Sequence, residues 1–203
     1  EALKNNCNLP VTIKHRIGVD NNDSFAMLNN FVTRISNSGA DRFIVHARKA
    51  FLKGLNPKEN RTIPPLKYDF VEQLKNKNPS ILIEINGGFN DINQCKEALN
   101  TFDGVMIGRS AYKHPLRWAG IDEQFYGDLK KTKNASSVII SLLPYVENHI
   151  SSGGSTWDIC KHLINLVENI PNAKKWRNKV TIDSIKGYLT VNNLKNYALE
   201  LRE

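Results

Sequence analysis

Polar and glycine residues follow four short apolar runs of this chain, and their types are those that bind anions. They are Lys14, His46, the Asn86-Gly87-Gly88 turn and the Gly108-Arg109 pair. Glycine lets backbone N–H groups approach an anion closely, a following helix N-terminus adds partial positive charge, and a guanidinium binds phosphate with two parallel hydrogen bonds. Either glycine motif alone is more typical of a tight turn, whereas the two at matching positions predict a phosphate-binding site.

Lys14 and His46 follow the two earlier runs, and each has two explanations. A lysine ammonium there could stabilise negative charge that develops on a bound cofactor, and a histidine could donate a hydrogen bond to the cofactor or to phosphate. A solvated lysine at a strand end, or a histidine paired with a backbone carbonyl, explains either residue equally well when it is taken singly. Their shared position at strand ends favours binding.

The elements that must position these residues are strands joined by helices. The apolar runs predict strands over residues 11–15, 41–46, 80–85 and 103–107. Helices are predicted after Asp23 as N-cap, over residues 68–77, and after Asp91, which forms a capping box with Gln94. Parallel strands joined in this way point in one direction, so their carboxyl ends gather on one rim, where α/β barrels hold ligands.

The pattern changes after residue 126, where strands give way to helices. The polar, basic residues 127–134 predict a linker, and helical spacing predicts helices over residues 136–149, 156–168, 173–179 and 182–201. Ser155 and Asp158 form a capping box for the second of these helices. We therefore expect an α/β domain over residues 1–126 and a small all-α domain over residues 135–203.

Composition narrows the class of partner and the compartment. The 203 residues include 28 Lys and Arg against 20 Asp and Glu, and the net charge of +8 favours a polyanionic partner such as nucleic acid. No apolar run approaches the roughly 20 residues that cross a bilayer, so no membrane is expected. Three scattered cysteines fit a reducing cytoplasm. The chain does not begin with methionine, and we expect it to be part of a longer protein.

Longer segments combine these motifs into a more specific pattern. They are VTIKHRIG at 11–18, FIVHARKA at 43–50, GLNPKENR at 54–61 with IPPL at 63–66, INGG at 85–88 and GVMIGR at 104–109. Together with Pro144-Tyr145, Gly153-Gly154 and Lys175-Trp176-Arg177, these segments resemble the A-type branch of the tRNA-dihydrouridine synthases over nearly the whole chain.

The resemblance implies a flavoenzyme that holds FMN on a TIM barrel and uses hydride from NADPH to reduce the C5–C6 bond of D-loop uridines in tRNA, of the U20/U20a type. Lys14 and His46 would contact FMN, and the cofactor site would be completed by Asn86, Gly87, Gly88, Gly108 and Arg109. The chain would be the second half of the (β/α)8 barrel followed by a helical tRNA-binding domain, and its partners would be tRNA and the amino-terminal half of the barrel.

Five basic residues match, or lie near, positions that contact tRNA in this branch. They are Lys58 and Arg61 on the long loop over residues 47–65, Lys174 and Arg177 in the helical part, and Arg48 as a less specific candidate for the substrate's phosphate. Arginine and lysine neutralise phosphates, so their clustering independently favours RNA. Trp176 could stack on a base, but we interpret it as a buried residue of the bundle.

One expected residue has no counterpart. The family's general acid is a cysteine in the first half of the barrel, and Cys7, Cys95 and Cys160 do not match its motif, so we assign no catalytic residue within this chain. Two alternatives remain open. The chain could be a remnant that binds tRNA without reducing it, or another FMN barrel that acts on a small molecule.

Overall fold

The computed structural model describes residues 1–128 and 133–201. The chain divides into two compact units, Glu1–Gly108 and Arg109–Glu203, which we call the first and second units. Part of the predicted linker over residues 127–134 lies outside the described residues.

A parallel sheet in the order β1-β2-β3-β4 forms the centre of the first unit. The strands are β1 (Thr12–Arg16), β2 (Arg42–His46), β3 (Ile83–Asn86) and β4 (Gly104–Met106). The helices are α1 (Ala2–Asn6), α2 (Phe25–Asn37), α3 (Tyr68–Lys77) and α4 (Ile92–Ala98). The prediction of four parallel strands joined by helices is confirmed, and the predicted helix over residues 68–77 has its predicted bounds.

Side chains alternate along each strand, and one face of the sheet is apolar. That face and the helices on it bury Phe43, Val45, Ile83, Ile85, Leu28, Val32, Val71 and Leu74. Burial of one such side chain stabilises the fold by roughly 1.5–3 kcal/mol, so the apolar face fixes which residues point the other way. The residues of opposite parity are mostly polar and include Lys14, Arg16, Arg42, His46, Glu84 and Asn86.

The N-terminus of α2 differs by one residue from the sequence-based prediction. Ser24 is the N-cap, and its hydroxyl accepts a hydrogen bond from the Met27 backbone N–H at 3.3 Å. Asp23, the predicted cap, instead forms an ion pair with Lys49 at 3.0 Å. Both Asp and Ser are good N-cap residues. Asp23 is engaged in the ion pair with Lys49, a contact between distant segments that sequence spacing does not show, and Ser24 therefore caps the helix.

In its described residues the second unit consists of helices and turns. The helices are α5 (Arg109–Lys113), α6 (Ile121–Tyr126), α7 (Ala135–Ser151), α8 (Thr156–Leu163), α9 (Ala173–Ile185) and α10 (Val191–Leu199). The Ser155–Asp158 capping box of α8 is present as predicted. In contrast, α8 ends five residues earlier than predicted, and α9 runs on to Ile185, where a left-handed Gly187 (φ 72°) follows.

The core of the second unit accounts for Trp176. This side chain is 5% exposed among buried apolar residues, and its indole N–H donates to the Tyr197 carbonyl at 2.8 Å. Its interpretation as a core residue is confirmed. A buried indole N–H needs an acceptor, and α10 supplies it.

Residues 109–126 belong to the second unit, although the predicted boundary placed them with the strands. Leu116 packs against the helical core, the Tyr112 hydroxyl lies 2.8 Å from His162 Nδ1, and His114 Nδ1 lies 2.6 Å from a Glu168 carboxylate oxygen. The sequence pattern changes only after residue 126. The packing of residues 109–126 on the helices places the division between the compact units earlier, after Gly108.

Candidate functional site

The strand register shows which residues share a level on the polar face of the sheet. Arg16 of β1 pairs with His46 of β2, and His46 pairs with Asn86 of β3. Lys14 pairs with Ile44, one step toward the amino ends of the strands. The structure therefore places Lys14, His46 and Asn86 on one face of the sheet, as expected. Because β1 runs on to Arg16, however, Lys14 lies within its strand, one level below the other two, and not at the strand end as predicted.

Asn86 links two strand ends. It is 8% exposed, and its side-chain amide donates to the Met106 carbonyl of β4 at 2.7 Å. A carboxamide retains a second N–H and an acceptor oxygen after this bond. Asn86 can thus contact a ligand while it holds the ends of β3 and β4 together.

The Gly87-Gly88 turn has a packing reason for its glycines. Both residues have positive φ, 117° and 85°. A Cβ at Gly87 would lie 2.9 Å from the Leu66 side chain, and one at Gly88 would lie 2.7 Å from both Leu66 and the Tyr68 hydroxyl. Tyr68 also donates a hydrogen bond to the Gly87 carbonyl. Positive φ, together with the contacts to Leu66 and Tyr68, therefore accounts for these glycines whether or not an anion binds here.

The helix after this turn contributes less to anion binding than the sequence indicates. Helix α4 has seven residues, and the Asp91 carboxylate already accepts the Gln94 backbone N–H at 2.9 Å. The Gln94 side chain bonds to the Asn90 backbone N–H rather than to that of Asp91, so the predicted capping box is incomplete. A carboxylate at this N-terminus offsets the partial positive charge that an anion would use.

Gly108 differs from the other glycines of the two motifs. Its φ lies outside the left-handed range, and a Cβ built on it meets nothing within 4 Å. Neither backbone strain nor packing against the described residues explains this glycine, and the space beside it is open to a ligand. Arg109 follows it as the first residue of α5 and of the second unit.

Lys14 lies in a cationic environment. Burial and the nearby Arg16 guanidinium lower the pKa of Lys14. The nearest level of the same face also holds His46 and Asn86. This part of the sheet presents hydrogen-bond donors and positive charge, the donor set that a phosphate or an electron-rich ring edge requires.

Sequence reasoning missed Arg16 as a candidate. Its guanidinium donates to the carbonyls of Lys49 and Asn60 at 2.8 and 2.7 Å. Burial, followed by the nearby charges of Arg48 and Arg61, lowers the pKa of Arg16. Alternation along β1 was the signal that could have found it, because residues 14 and 16 of a strand share a face.

The basic loop, which we define as residues 47–66, is held by its own hydrogen bonds. Arg48 donates to the carbonyls of Thr62 and Pro64. Lys58 precedes the 3-10 turn Glu59–Arg61, Arg61 is its last residue, and both side chains are exposed. The side chains of the two predicted tRNA contacts on this loop are therefore exposed to solvent. The Arg48 guanidinium, in contrast, already forms hydrogen bonds with the loop backbone.

The second unit carries the other two predicted tRNA contacts on α9. Lys174 is exposed at the amino end of the helix, while Arg177 is half-buried and donates to the Val167 carbonyl. Lys179 lies 3.8 Å from the Tyr197 ring centre and 3.8 Å from a Glu200 carboxylate oxygen. The four cations over residues 174–179, which sequence alone treats as uniform, therefore comprise two exposed lysines, Lys174 and Lys175, and two cations with partners in the protein.

Two of the three cysteines are buried and poorly suited to act as nucleophiles. Cys95 and Cys160 are buried, and burial raises the pKa of both thiols. Cys7 is half-buried. Within residues 1–128 and 133–201 there is also no group of three or more His, Cys, Asp or Glu that could hold a metal ion, and no helix has the length and apolar character needed to cross a membrane.

Parallel strands joined by helices define an α/β protein, and cationic and amide side chains lie toward the carboxyl ends of its strands, where many α/β folds bind ligands. The chain belongs to the dihydrouridine synthase family: the family profile described as "Dihydrouridine synthase (Dus)" matches residues 1–198.

Three relatives are each named tRNA-dihydrouridine(20/20a) synthase. The protein of Pseudomonas syringae pv. tomato is 43% identical over 90% of this chain and 54% of the relative. That of Shewanella oneidensis is 42% identical over 98% and 56%, and that of Synechocystis sp. is 46% identical over 87% and 53%. The chain therefore spans about half the length of the curated relatives it matches.

Proposed function

We propose that this chain is the portion of an FMN-dependent tRNA-dihydrouridine synthase that reduces the C5–C6 bond of uridine 20 or 20a in the tRNA D-loop, with NADPH as hydride donor. The proposal rests on the polar face of the sheet in a chain of this family. On that face Arg16, His46 and Asn86 lie side by side on neighbouring strands, and Lys14 lies on the same face of β1. The names of the relatives support the uridine position.

The residues present fit FMN. Lys14, His46, Asn86, Gly87, Gly88, Gly108 and Arg109 would hold it, with the open space beside Gly108 and the cationic neighbourhood of Lys14 as the observations in favour. When bound, FMN supplies the hydride for the uridine. Lys14 would stabilise negative charge that develops on the flavin, and Asn86 keeps the ends of β3 and β4 together.

We infer that the first unit is the second half of a TIM barrel and that the second unit is an all-α tRNA-binding domain. The one-sided packing of helices on the sheet and the polar character of its other face support the half-barrel. We propose that the transition between the two domains falls within residues 109–134, and the division of the compact units after Gly108 and the start of α7 at Ala135 support this.

Transfer RNA is the proposed substrate, contacted by Lys58 and Arg61 of the basic loop and by Lys174 and Arg177 of α9. Arg48 would add positive charge at the base of the loop. The net charge of +8 and the exposure of Lys58, Arg61 and Lys174 support this assignment. We also propose a cytoplasmic location, which the proposed tRNA substrate and the three free cysteines support.

The proposed general acid lies outside this chain, in the amino-terminal half of the barrel. The reading as an inactive tRNA-binding remnant is not favoured, because the relatives are named as synthases. An FMN barrel acting on a small molecule would leave the ordered basic loop without a role.

Two titrations test the proposal. Added FMN should bind with a shifted visible spectrum, and Gly108→Val should weaken it because the new side chain occupies the open space. Unmodified tRNA should bind with an affinity that falls steeply as salt rises.

An enzyme that contains this chain should add two hydrogens to uridine 20 or 20a of a tRNA transcript, detected by mass spectrometry. Tight flavin binding with no measurable affinity for tRNA would favour the small-molecule alternative.

A further inference from the structure

The basic loop has little regular secondary structure, yet its backbone is closely tied together. The Asn60 side chain accepts from the Phe51 N–H at 2.7 Å and donates to the carbonyls of Phe51 and Leu55 at 2.8 and 3.2 Å. Asn56 and Glu59 cap the 3-10 turn reciprocally, since each side chain accepts a backbone N–H of the other. The two halves of the loop therefore meet at Asn60.

The first half of the loop is also fastened to the turn that follows β1. The Ala50 N–H donates to the Gly18 carbonyl at 2.9 Å, and the Asp20 N–H donates to the Ala50 carbonyl at 2.8 Å. The second half, which carries Lys58 and Arg61, forms no such backbone ladder with the turn after β1 in the part of the chain that the structure describes. Its far end is held by the Lys67 N–H, which donates to the Ala47 carbonyl at 2.8 Å, and by Arg48, which donates to the Thr62 and Pro64 carbonyls. The segment around Asn60 still needs a side chain to connect it to the sheet.

Arg16 supplies that connection. From the end of β1 its guanidinium donates to the Lys49 carbonyl in the first half of the loop and to the Asn60 carbonyl in the second half, at 2.8 and 2.7 Å. One planar, rigid group thus joins both halves to the polar face of the sheet. The acceptors are neutral carbonyls, so the positive charge of Arg16 is not offset by them.

The hydrogen bonds of Arg16 hold the basic loop against repulsion between positively charged side chains. The charges of Arg48 and Arg61 lie close enough to Arg16 to lower its pKa, after the larger effect of burial. Three like charges in one region favour separation of the loop from the sheet unless hydrogen bonds hold it. A bound phosphate would relieve the same repulsion, so the anchored loop is prepared for an anion.

We propose that Arg16 is a positioning residue, which anchors the basic loop so that Lys58 and Arg61 stand where they contact tRNA. The assignment of tRNA to the loop rests on the proposed function. The anchoring of the loop by Arg16 rests only on the hydrogen bonds described above.

Hydrogen–deuterium exchange of the chain without RNA tests the anchoring. Arg16→Ala should raise exchange over residues 49–61 by at least about fivefold, whereas Lys53→Ala, an exposed loop lysine, should leave it unchanged. Arg16→Gln, which removes the guanidinium but keeps a polar side chain on the sheet, should loosen the same residues and replaces Arg16→Ala if that variant does not fold. Unchanged exchange over the loop in a folded Arg16 variant would overturn the proposal.

Affinity for tRNA tests whether Arg16 acts through the loop. Arg16→Ala should weaken binding by roughly tenfold in the wild-type background. In the Lys58→Ala/Arg61→Ala background it should weaken binding by less than about twofold, because the contacts that it positions are already absent. Equal losses in both backgrounds would show that Arg16 touches RNA itself and would overturn the positioning role. If wild-type protein does not bind tRNA, the proposed function fails, while the exchange result still decides the anchoring.

Discussion

The two basic regions of this chain hold their cations in different ways. In the first unit, Arg16 and Arg48 donate to backbone carbonyls and fix the shape of the basic loop. In the second unit, Lys174 is exposed near the amino end of α9. Loss of a cation should therefore change structure and charge together in the first region, and mainly charge at Lys174. The predictions below test this contrast between a built site and a charged helix surface.

The largest difference is expected between two left-handed glycines. Ala at Gly88 (φ 85°) adds backbone strain and a Cβ 2.7 Å from Leu66 and the Tyr68 hydroxyl, whereas Ala at Gly153 (φ 88°) adds strain in open space. We expect Gly88→Ala to lose about 2–4 kcal/mol of unfolding free energy and Gly153→Ala about 1 kcal/mol. Urea denaturation measures both, and equal losses would show that the turn after β3 is not packed as described.

The two cations of α9 should separate charge from structure. Lys174→Ala should lower the slope of log affinity for tRNA against log salt by about 1 and leave stability unchanged. Arg177→Ala should also lose about 1 kcal/mol of stability, because its guanidinium donates to the Val167 carbonyl. Lys186→Ala, an exposed lysine past the end of the helix, is the control. A salt slope that Lys174→Ala does not change would remove this lysine from the interface.

Much of the fold follows from local patterns, while the site depends on contacts between distant segments. Helix α3 follows from periodicity alone, and Ser155 with Asp158 follows from spacing, because both involve neighbours in sequence. The role of Arg16 depends on carbonyls 33 and 44 residues away. Likewise, the glycines after β3 resemble an anion-binding turn in sequence, and only the positions of Leu66 and Tyr68 reveal their packing role.

The stability of the two units at low pH can be compared through one aspartate in each, Asp103 in the first unit and Asp158 in the second. Burial raises the pKa of Asp103, but hydrogen bonds from Lys75 and the Ile83 N–H outweigh it and lower the pKa. This stabilisation is present above the unfolded pKa of about 3.9 and is lost as pH falls through the lower folded value. Asp103→Asn should therefore cost about 1 kcal/mol near pH 7.

That cost should disappear below the folded pKa of Asp103. The pKa of Asp158 is also lowered, chiefly by the Ser155 N–H of its capping box, but this carboxylate is fully exposed, so Asp158→Asn should cost less than Asp103→Asn. Unfolding curves between pH 2 and pH 7 measure both variants. A pH-independent cost for Asp103→Asn would assign its effect to packing instead of charge.

The smallest expected effect concerns His15, on the apolar side of β1. Its ring N–H donates from Nδ1 to the Arg16 carbonyl at 2.9 Å, the ring packs against Phe31, and burial, the largest influence, lowers its pKa. The unfolded chain therefore takes up a proton near pH 6.5 before the folded chain does, and stability falls as pH drops from there to the lower folded pKa. His15→Phe should remove this decline, which we expect to be under about 1 kcal/mol. The ring can be accommodated because a cavity of about 330 Å³ lined by His15, Met27 and Phe31 adjoins it. If the wild type and His15→Phe lose stability in parallel between pH 7 and pH 5, the decline arises elsewhere, and His15 is not the group that takes up the proton.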